Sequence, residues 1–136
     1  MTASAFLDTS VLIRYLSGDD AQKADRSERL LRDASHGRTP LCVTHLVIAE
    51  LVWVLSKEYR MPRTAIAEHL QRLLTTPHVA CAEAEHLATA LELFASTPLS
   101  FVDAYHAVLL PARGITTFYS YDTDFDQLPG LTRREP

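Results

Sequence analysis

Apolar residues along the chain fall into short blocks separated by longer amphipathic or charged stretches. The first block, Ala5-Phe6-Leu7, is too short for a helix and reads as a buried strand. It ends at Asp8-Thr9-Ser10, small polar residues suited to capping a helix. The pattern carries that helix from Val11 to about Leu16, with Gly18 as its stop. Ala21 to Ala34 is charged and rich in helix formers, which predicts a surface helix. After Pro40, Leu41-Cys42-Val43 reads as a second strand, and Thr44 as the cap of a long helix reaching about Tyr59. The branched residues Val47, Ile48, Val52 and Val54 favour a strand locally, but the segment is too long for one and length decides for the helix. Pro62 suits an early helical position in a helix running to about Leu74. Val79 to Ala82 is a third strand, and Ala84 to Ala95 an Ala/Leu/Glu-rich helix. Ser100 opens a further helix that Gly114 ends. Ile115 to Tyr119, branched and aromatic, is a fourth strand, and the tail from Leu128-Pro129-Gly130 has room for a short edge strand.

Strands alternating with helices imply parallel pairing with helices on both faces, an α/β architecture. Ligands in such sheets bind outside the carboxyl ends of the strands, and Asp8 and Asp122 both fall at such ends. The 136 residues fit one domain spanning 1–136, with no repeat, low-complexity tract or linker. The formal net charge of −4 argues against bulk attraction to nucleic acid, while leaving room for a local basic rim around an acidic site. Cys42 and Cys81 are too few and too far apart for a disulfide framework or a zinc site, and read as buried thiols in a reducing compartment. No secretory leader is visible, and the longest apolar run, Leu46 to Leu55, contains Glu50 and is too short to span a bilayer. The expectation is a cytoplasmic protein with no membrane partner.

The acidic residues carry the chemistry. Glu50 interrupts an otherwise apolar helix that should be buried on most sides, where an unpaired carboxylate is costly. Its plain structural explanation is a narrow solvent-facing stripe or an arginine partner. Asp8 between two apolar blocks has the plain role of a helix cap. Asp103 has that of a favourable dipole contact in a first helical turn. Asp122, Asp124 and Asp126 have that of a solvated turn. Together they weigh more. Two carboxylates about 4 Å apart repel by roughly 4 kcal/mol at an effective dielectric of 20, so a fold that gathers several needs cations. Oxygen-only ligands select hard divalent ions, Mg²⁺ or Mn²⁺, and such ions with phosphate-bearing substrates point to phosphodiester hydrolysis.

Four segments resemble the motifs of PIN-domain proteins, and of VapC-type toxins in particular. They are Phe6-Leu7-Asp8-Thr9-Ser10-Val11-Leu12-Ile13, Val47-Ile48-Ala49-Glu50-Leu51, Ser100-Phe101-Val102-Asp103-Ala104-Tyr105-His106-Ala107 and Ser120-Tyr121-Asp122-Thr123-Asp124-Phe125. The closing Leu128-Pro129-Gly130-Leu131 is also similar to the family's ending. Each motif alone is weak; four in order over essentially the whole chain are specific. The resemblance implies an α/β/α sandwich with a central parallel sheet of four to five strands. It also implies a Mg²⁺- or Mn²⁺-dependent ribonuclease, a homodimer, and a small antitoxin protein that covers the site. Ser10 and Ser120 depart from the Asn and Thr frequent at these positions, yet keep a small polar group. Pro111 falls inside the third-motif helix, where a kink or early end is expected.

On this reading Asp8, Glu50, Asp103 and Asp122 are the catalytic carboxylates and metal ligands for cleavage of an RNA substrate. Asp124 is an outer ligand or a bystander, the choice between it and Asp122 staying open. Thr9, Ser10 and Ser120 are supporting hydrogen-bond partners. His106, on the same helical face as Asp103, is a substrate contact, a group that orients Asp103, or a structural histidine. Arg14, Arg60, Arg63 and Arg113 are candidate phosphate contacts. Core burial explains most of the apolar surplus around Trp53 and Leu55, with part of it left for a dimer contact, and by family analogy the helix from Val11 with the charged helix after it frames a groove for an antitoxin helix. A calcium loop at Asp122 fails, because Gln127 stands where glycine is required and Arg133 where glutamate is. An aspartyl-phosphate phosphatase would need later motifs for which the chain has no room, and four glycines with no Gly-rich turn exclude a dinucleotide or P-loop site. The competing function is a catalytically silent PIN-like module that binds RNA or antitoxin.

Overall fold

The computed structural model describes residues 4–136. They form two compact units, one within Met1–Ala84 and the other Glu85–Pro136.

In the first unit the elements run β1 (Ala5–Phe6), α1 (Thr9–Ser17), α2 (Ala21–Ser35), β2 (Leu41–Val43), α3 (His45–Lys57), α4 (Arg63–Leu74) and β3 (Val79–Cys81). The strands pair in the order β1-β2-β3, all parallel, with Ala5 opposite Leu41 and Leu41 opposite Val79. One more bond, from the Leu7 N–H to the Cys42 carbonyl at 2.9 Å, holds the chain in register up to the threshold of Asp8. Side-chain caps start the helices: Asp20 accepts from the Lys23 N–H, and Thr44 from the Val47 N–H. Gly18, at φ 66°, supplies the left-handed residue that ends α1. The core comes from residues at helical spacing, Ile48, Leu51 and Leu55 on α3 and Ile66 and Leu70 on α4, all fully buried with Leu12 of α1.

The opposite face of α3 corrects the expectation that this helix is buried on most sides. Leu46 is 80% exposed, Trp53 59%, and Glu50 between them is exposed as well. These residues, one turn apart, form one apolar stripe interrupted by an acid. The apolar run hides it, because a helix with leucine or tryptophan on every side looks the same in sequence whether or not one side is covered.

The second unit holds α5 (Ala84–Ser96), which begins at its boundary, α6 (Phe101–Ala112), β4 (Thr117–Tyr119), a 3-10 turn (Thr123–Gln127) and β5 (Thr132–Arg134). β4 and β5 pair in parallel, Phe118 opposite Arg133, so the tail does add a strand. Leu87, Leu91, Phe94 and Phe101 are buried, with Phe94 and Phe101 packed edge-on at 6.3 Å. Phe118 meets Phe125 edge-on at 5.3 Å. Arg133 locks the turn to β5, its guanidinium donating to both Asp126 carboxylate oxygens at 2.8 and 3.3 Å and to the Ser120 carbonyl at 3.0 Å. Pro111 does mark the end of α6, which stops at Ala112, one residue later.

The α/β class and the parallel sense of every described strand pairing are as expected. The strands hydrogen-bond as a ladder of three in the first unit and of two in the second. Among the described residues no helix is long and apolar enough to cross a membrane.

Candidate active site

The first unit contributes Asp8 and Glu50. Asp8 follows β1 and is the cap of α1. Its Oδ2 accepts from the Ser10 hydroxyl at 2.6 Å and from the Ser10 backbone N–H at 3.0 Å. The hydroxyl first, and then the backbone N–H, hold this exposed carboxyl below the usual carboxylate range against a small opposing effect of burial. Asp8 is therefore a fixed, ionised oxygen donor open to solvent. Glu50 projects from the uncovered side of α3 and forms no ion pair or hydrogen bond among the described residues. An arginine partner is thus ruled out there, whereas a solvent-facing stripe and an open ligand position both require this exposure.

The second unit contributes Asp103, Asp122 and Asp124. Ser100 caps α6 by accepting from the Asp103 N–H at 3.2 Å, which puts Asp103 in the first turn, half-buried. Asp103 lines a pocket of about 390 Å³ together with His106, Thr117, Phe118, Ser120 and Phe125. Ser120 also accepts from the Asp122 N–H at 3.0 Å. One serine at the carboxyl end of β4 thus joins the pocket of Asp103 to the turn of Asp122. Asp122 is exposed, and its Oδ1 accepts from the Asp124 N–H at 2.9 Å to cap the 3-10 turn. Asp124 is half-buried within that turn. Asp126 is occupied by Arg133.

Among the described residues, no group of three or more His, Cys, Asp or Glu side chains gathers in a way that could hold a metal ion. Each unit offers its own acids: Asp8 and Glu50 in one, Asp103 and Asp122 in the other. The donor set is made only of oxygen, and at least Asp8 is ionised by its surroundings. That chemistry fits a hard divalent cation and not a soft one.

Of the candidate phosphate contacts, Arg14 is paired with Asp19 at 3.0 Å, and Asp19 also accepts from the Tyr59 hydroxyl at 2.9 Å. Arg63 is half-buried, and burial pulls its pKa below the usual arginine value. Arg60 and Arg113 are exposed. His106 is exposed beside Asp103 and tilts against the Tyr105 ring at 5.8 Å.

Two further cavities lie in the first unit. A groove of about 600 Å³ between α1, α2 and α4 has Leu12, Leu16, Leu31 and Leu73 in its lining and Glu28, Arg32 and Arg72 at its charged parts. A second pocket brings Lys23, Arg26 and Ser27 of α2 beside Ser10 and Arg14 of α1. Reading α2 as a solvated surface helix misses this pocket. The available signal is spacing, since Lys23, Arg26 and Ser27 lie three and four residues apart on one helical face.

The PIN-domain family profile matches residues 5–131. Among curated proteins, the chain is similar to a VapC ribonuclease of Aquifex aeolicus (strain VF5), with 28% identity over 122 residues and 90% of each chain covered.

Proposed function

The chain belongs to the PIN-domain family, and from that premise we propose that it is a Mg²⁺- or Mn²⁺-dependent endoribonuclease, the toxin of a toxin–antitoxin pair. The observation that carries the proposal is Asp8, an exposed carboxylate kept ionised by Ser10 at the end of the first strand. The similarity to a VapC ribonuclease over 90% of the chain supports the substrate class. Asp8, Glu50, Asp103 and Asp122 would hold the ion, with Asp124 as an outer ligand. When bound, such an ion lowers the pKa of water and offsets charge on the phosphoryl oxygens.

The chain's own residues do the rest. Ser10 keeps Asp8 deprotonated and aimed, through two hydrogen bonds to the same oxygen. Ser120 and the Asp124 N–H orient Asp122 by gripping its backbone and its carboxylate in turn. His106 lines the pocket of Asp103 and is placed to contact the substrate there. Both units serve one catalytic domain, a view supported by a single family profile that covers 5–131.

The partners follow from surfaces. The apolar groove between α1, α2 and α4, with charged residues around it, suits an amphipathic antitoxin helix. The uncovered stripe with Leu46 and Trp53 suits a homodimer contact. An RNA substrate sets the site of action in the cytoplasm. The test is cleavage of total cellular RNA by purified protein in Mg²⁺, Mn²⁺ or EDTA, beside Asp8→Asn. Discrete fragments absent with EDTA and with the variant are expected. Folded, antitoxin-free protein that binds Mn²⁺ but cleaves no RNA would instead identify a silent binding module.

A further inference from the structure

We propose that the pocket between α1 and α2, lined by Ser10, Arg14, Lys23, Arg26 and Ser27, is a subsite for an RNA phosphate neighbouring the one that is cut. The inference rests on the ribonuclease reading and adds a place where the strand is gripped.

Three observations carry it. First, Ser27 is only 7% exposed and lines this pocket, so what its hydroxyl meets is set by the pocket. Elsewhere in the chain, helical hydroxyls turn back onto the preceding turn: Thr89 donates to the Glu85 carbonyl at 3.0 Å and Ser96 to the Glu92 carbonyl at 3.0 Å. Ser27 makes no such bond to Lys23. A hydroxyl not spent on its own helix is a donor that an acceptor entering the pocket can use.

Second, the lining contains three cations and no acid. Arg14 is neutralised by Asp19, but Lys23 and Arg26 have no ion pair among the described residues. The acid nearest in sequence to Lys23 on its N-terminal side, Asp20, spends its carboxylate on the Lys23 backbone N–H as a helix cap. In a chain of net charge −4, this is a local positive site of the kind that selects a phosphate.

Third, the pocket is tied to the chemistry by one residue. Ser10 lines it and also donates its hydroxyl hydrogen to Asp8 at 2.6 Å. An anion held here sits on the strand that reaches Asp8. At about 350 Å³ the pocket admits a phosphodiester. An acidic peptide has charge of the same sign, but its carboxylates have no reason to lie beside a catalytic aspartate, and RNA does.

The experiment uses the full chain and a fluorescent single-stranded oligo(U) probe in EDTA. Anisotropy is followed over a salt series for wild type, the Lys23→Ala/Arg26→Ala double variant, Ser27→Ala and Arg38→Ala. Removing both cations is expected to weaken binding about tenfold and flatten the plot of log affinity against log salt by about one per cation. Ser27→Ala is expected to weaken binding with the slope unchanged, and Arg38→Ala to change neither. Equal affinity and slope in the double variant, or no oligo(U) binding by wild type, overturns the proposal. So does a double variant that keeps oligo(U) and loses poly-glutamate. Total-RNA cleavage separates the two readings. Cleavage with an unchanged KM in the double variant removes the subsite and keeps the nuclease. Salt-dependent binding lost in the double variant, with no cleavage by wild type, removes the nuclease and keeps the subsite.

Discussion

Asp8 in the first unit and Asp122 in the second occupy the same local position, just past a parallel strand and capping the helical turn that follows. Each has a serine two residues away, but the serines act differently. Ser10 follows Asp8 and donates both its hydroxyl and its N–H to the carboxylate. Ser120 precedes Asp122 and accepts from its backbone N–H, leaving the carboxylate to the Asp124 N–H. A serine after the acid tunes the charge; a serine before it positions the loop. Identical residue pairs in reversed order therefore do different physical work.

That comparison can be broken most forcefully by removing the acids themselves. Replacing a hydrogen-bond partner of a metal ligand typically costs 10–100-fold in metal affinity or activity, so loss of a ligand is expected to cost more than about 100-fold. Asp8→Asn and Asp122→Asn should each lose at least that in the cleavage rate while keeping the wild-type circular dichroism and melting temperature. If one of them cleaves normally, its carboxylate does not take part in the chemistry.

The serines should separate next. Ser10→Ala removes the shortest bond to Asp8 and is expected to lower cleavage about tenfold, whereas Ser120→Ala leaves the Asp122 carboxylate bond intact and should lower it less. Equal losses would mean that both serines merely hold loops. The same substitution has a signature in pH. Because the folded pKa of Asp8 is depressed, its ionisation contributes stability above the unfolded carboxyl pKa, and that contribution is lost as pH falls through the folded value. In metal-free Ser10→Ala the Asp8 carboxyl should titrate closer to the ordinary carboxylate range, which NMR of the carboxyl carbon reads directly. An unchanged titration would put the depression elsewhere.

The two faces of α3 sharpen the picture in a different way. Leu51→Ala, at a fully buried position, should destabilise the fold by about 2–5 kcal/mol in chemical denaturation. Trp53→Ala, on the uncovered stripe, should leave the monomer's stability nearly unchanged and reduce self-association in sedimentation velocity. A large loss of monomer stability in Trp53→Ala would mean that the stripe is packed by the chain itself.

Much of this is legible in the amino-acid order. Strand blocks bounded by capping residues mark β1, β2 and β4 to within a residue or two, although β1, read as buried, has Ala5 and Phe6 exposed and only Leu7 covered, and Thr44 caps its helix as read. The acids at strand ends stand out because strands are apolar and their ends are not. What escapes has physical reasons. α1 begins at Thr9, not Val11, because the cap lies at the start of the polar triplet and the pattern alone cannot say which member takes the role. The acidic turn at Asp122 becomes a 3-10 helix, too short to show a period. The exposure of Trp53 and Leu46 cannot be read from a helix that is apolar all round. The pocket of Ser10, Lys23, Arg26 and Ser27 needs two helices folded against each other, and sequence periodicity describes only one helix at a time.

The most direct test of the central claim is Mn²⁺ binding to the purified chain, followed by electron paramagnetic resonance, for wild type, Asp8→Asn and Asp122→Asn. If Asp8 and Asp122 both hold the ion that runs the reaction, each variant should bind Mn²⁺ at least about 100-fold more weakly than wild type and lose RNA cleavage in step. Mn²⁺ affinity equal to wild type in either variant, with cleavage of RNA intact, would contradict it.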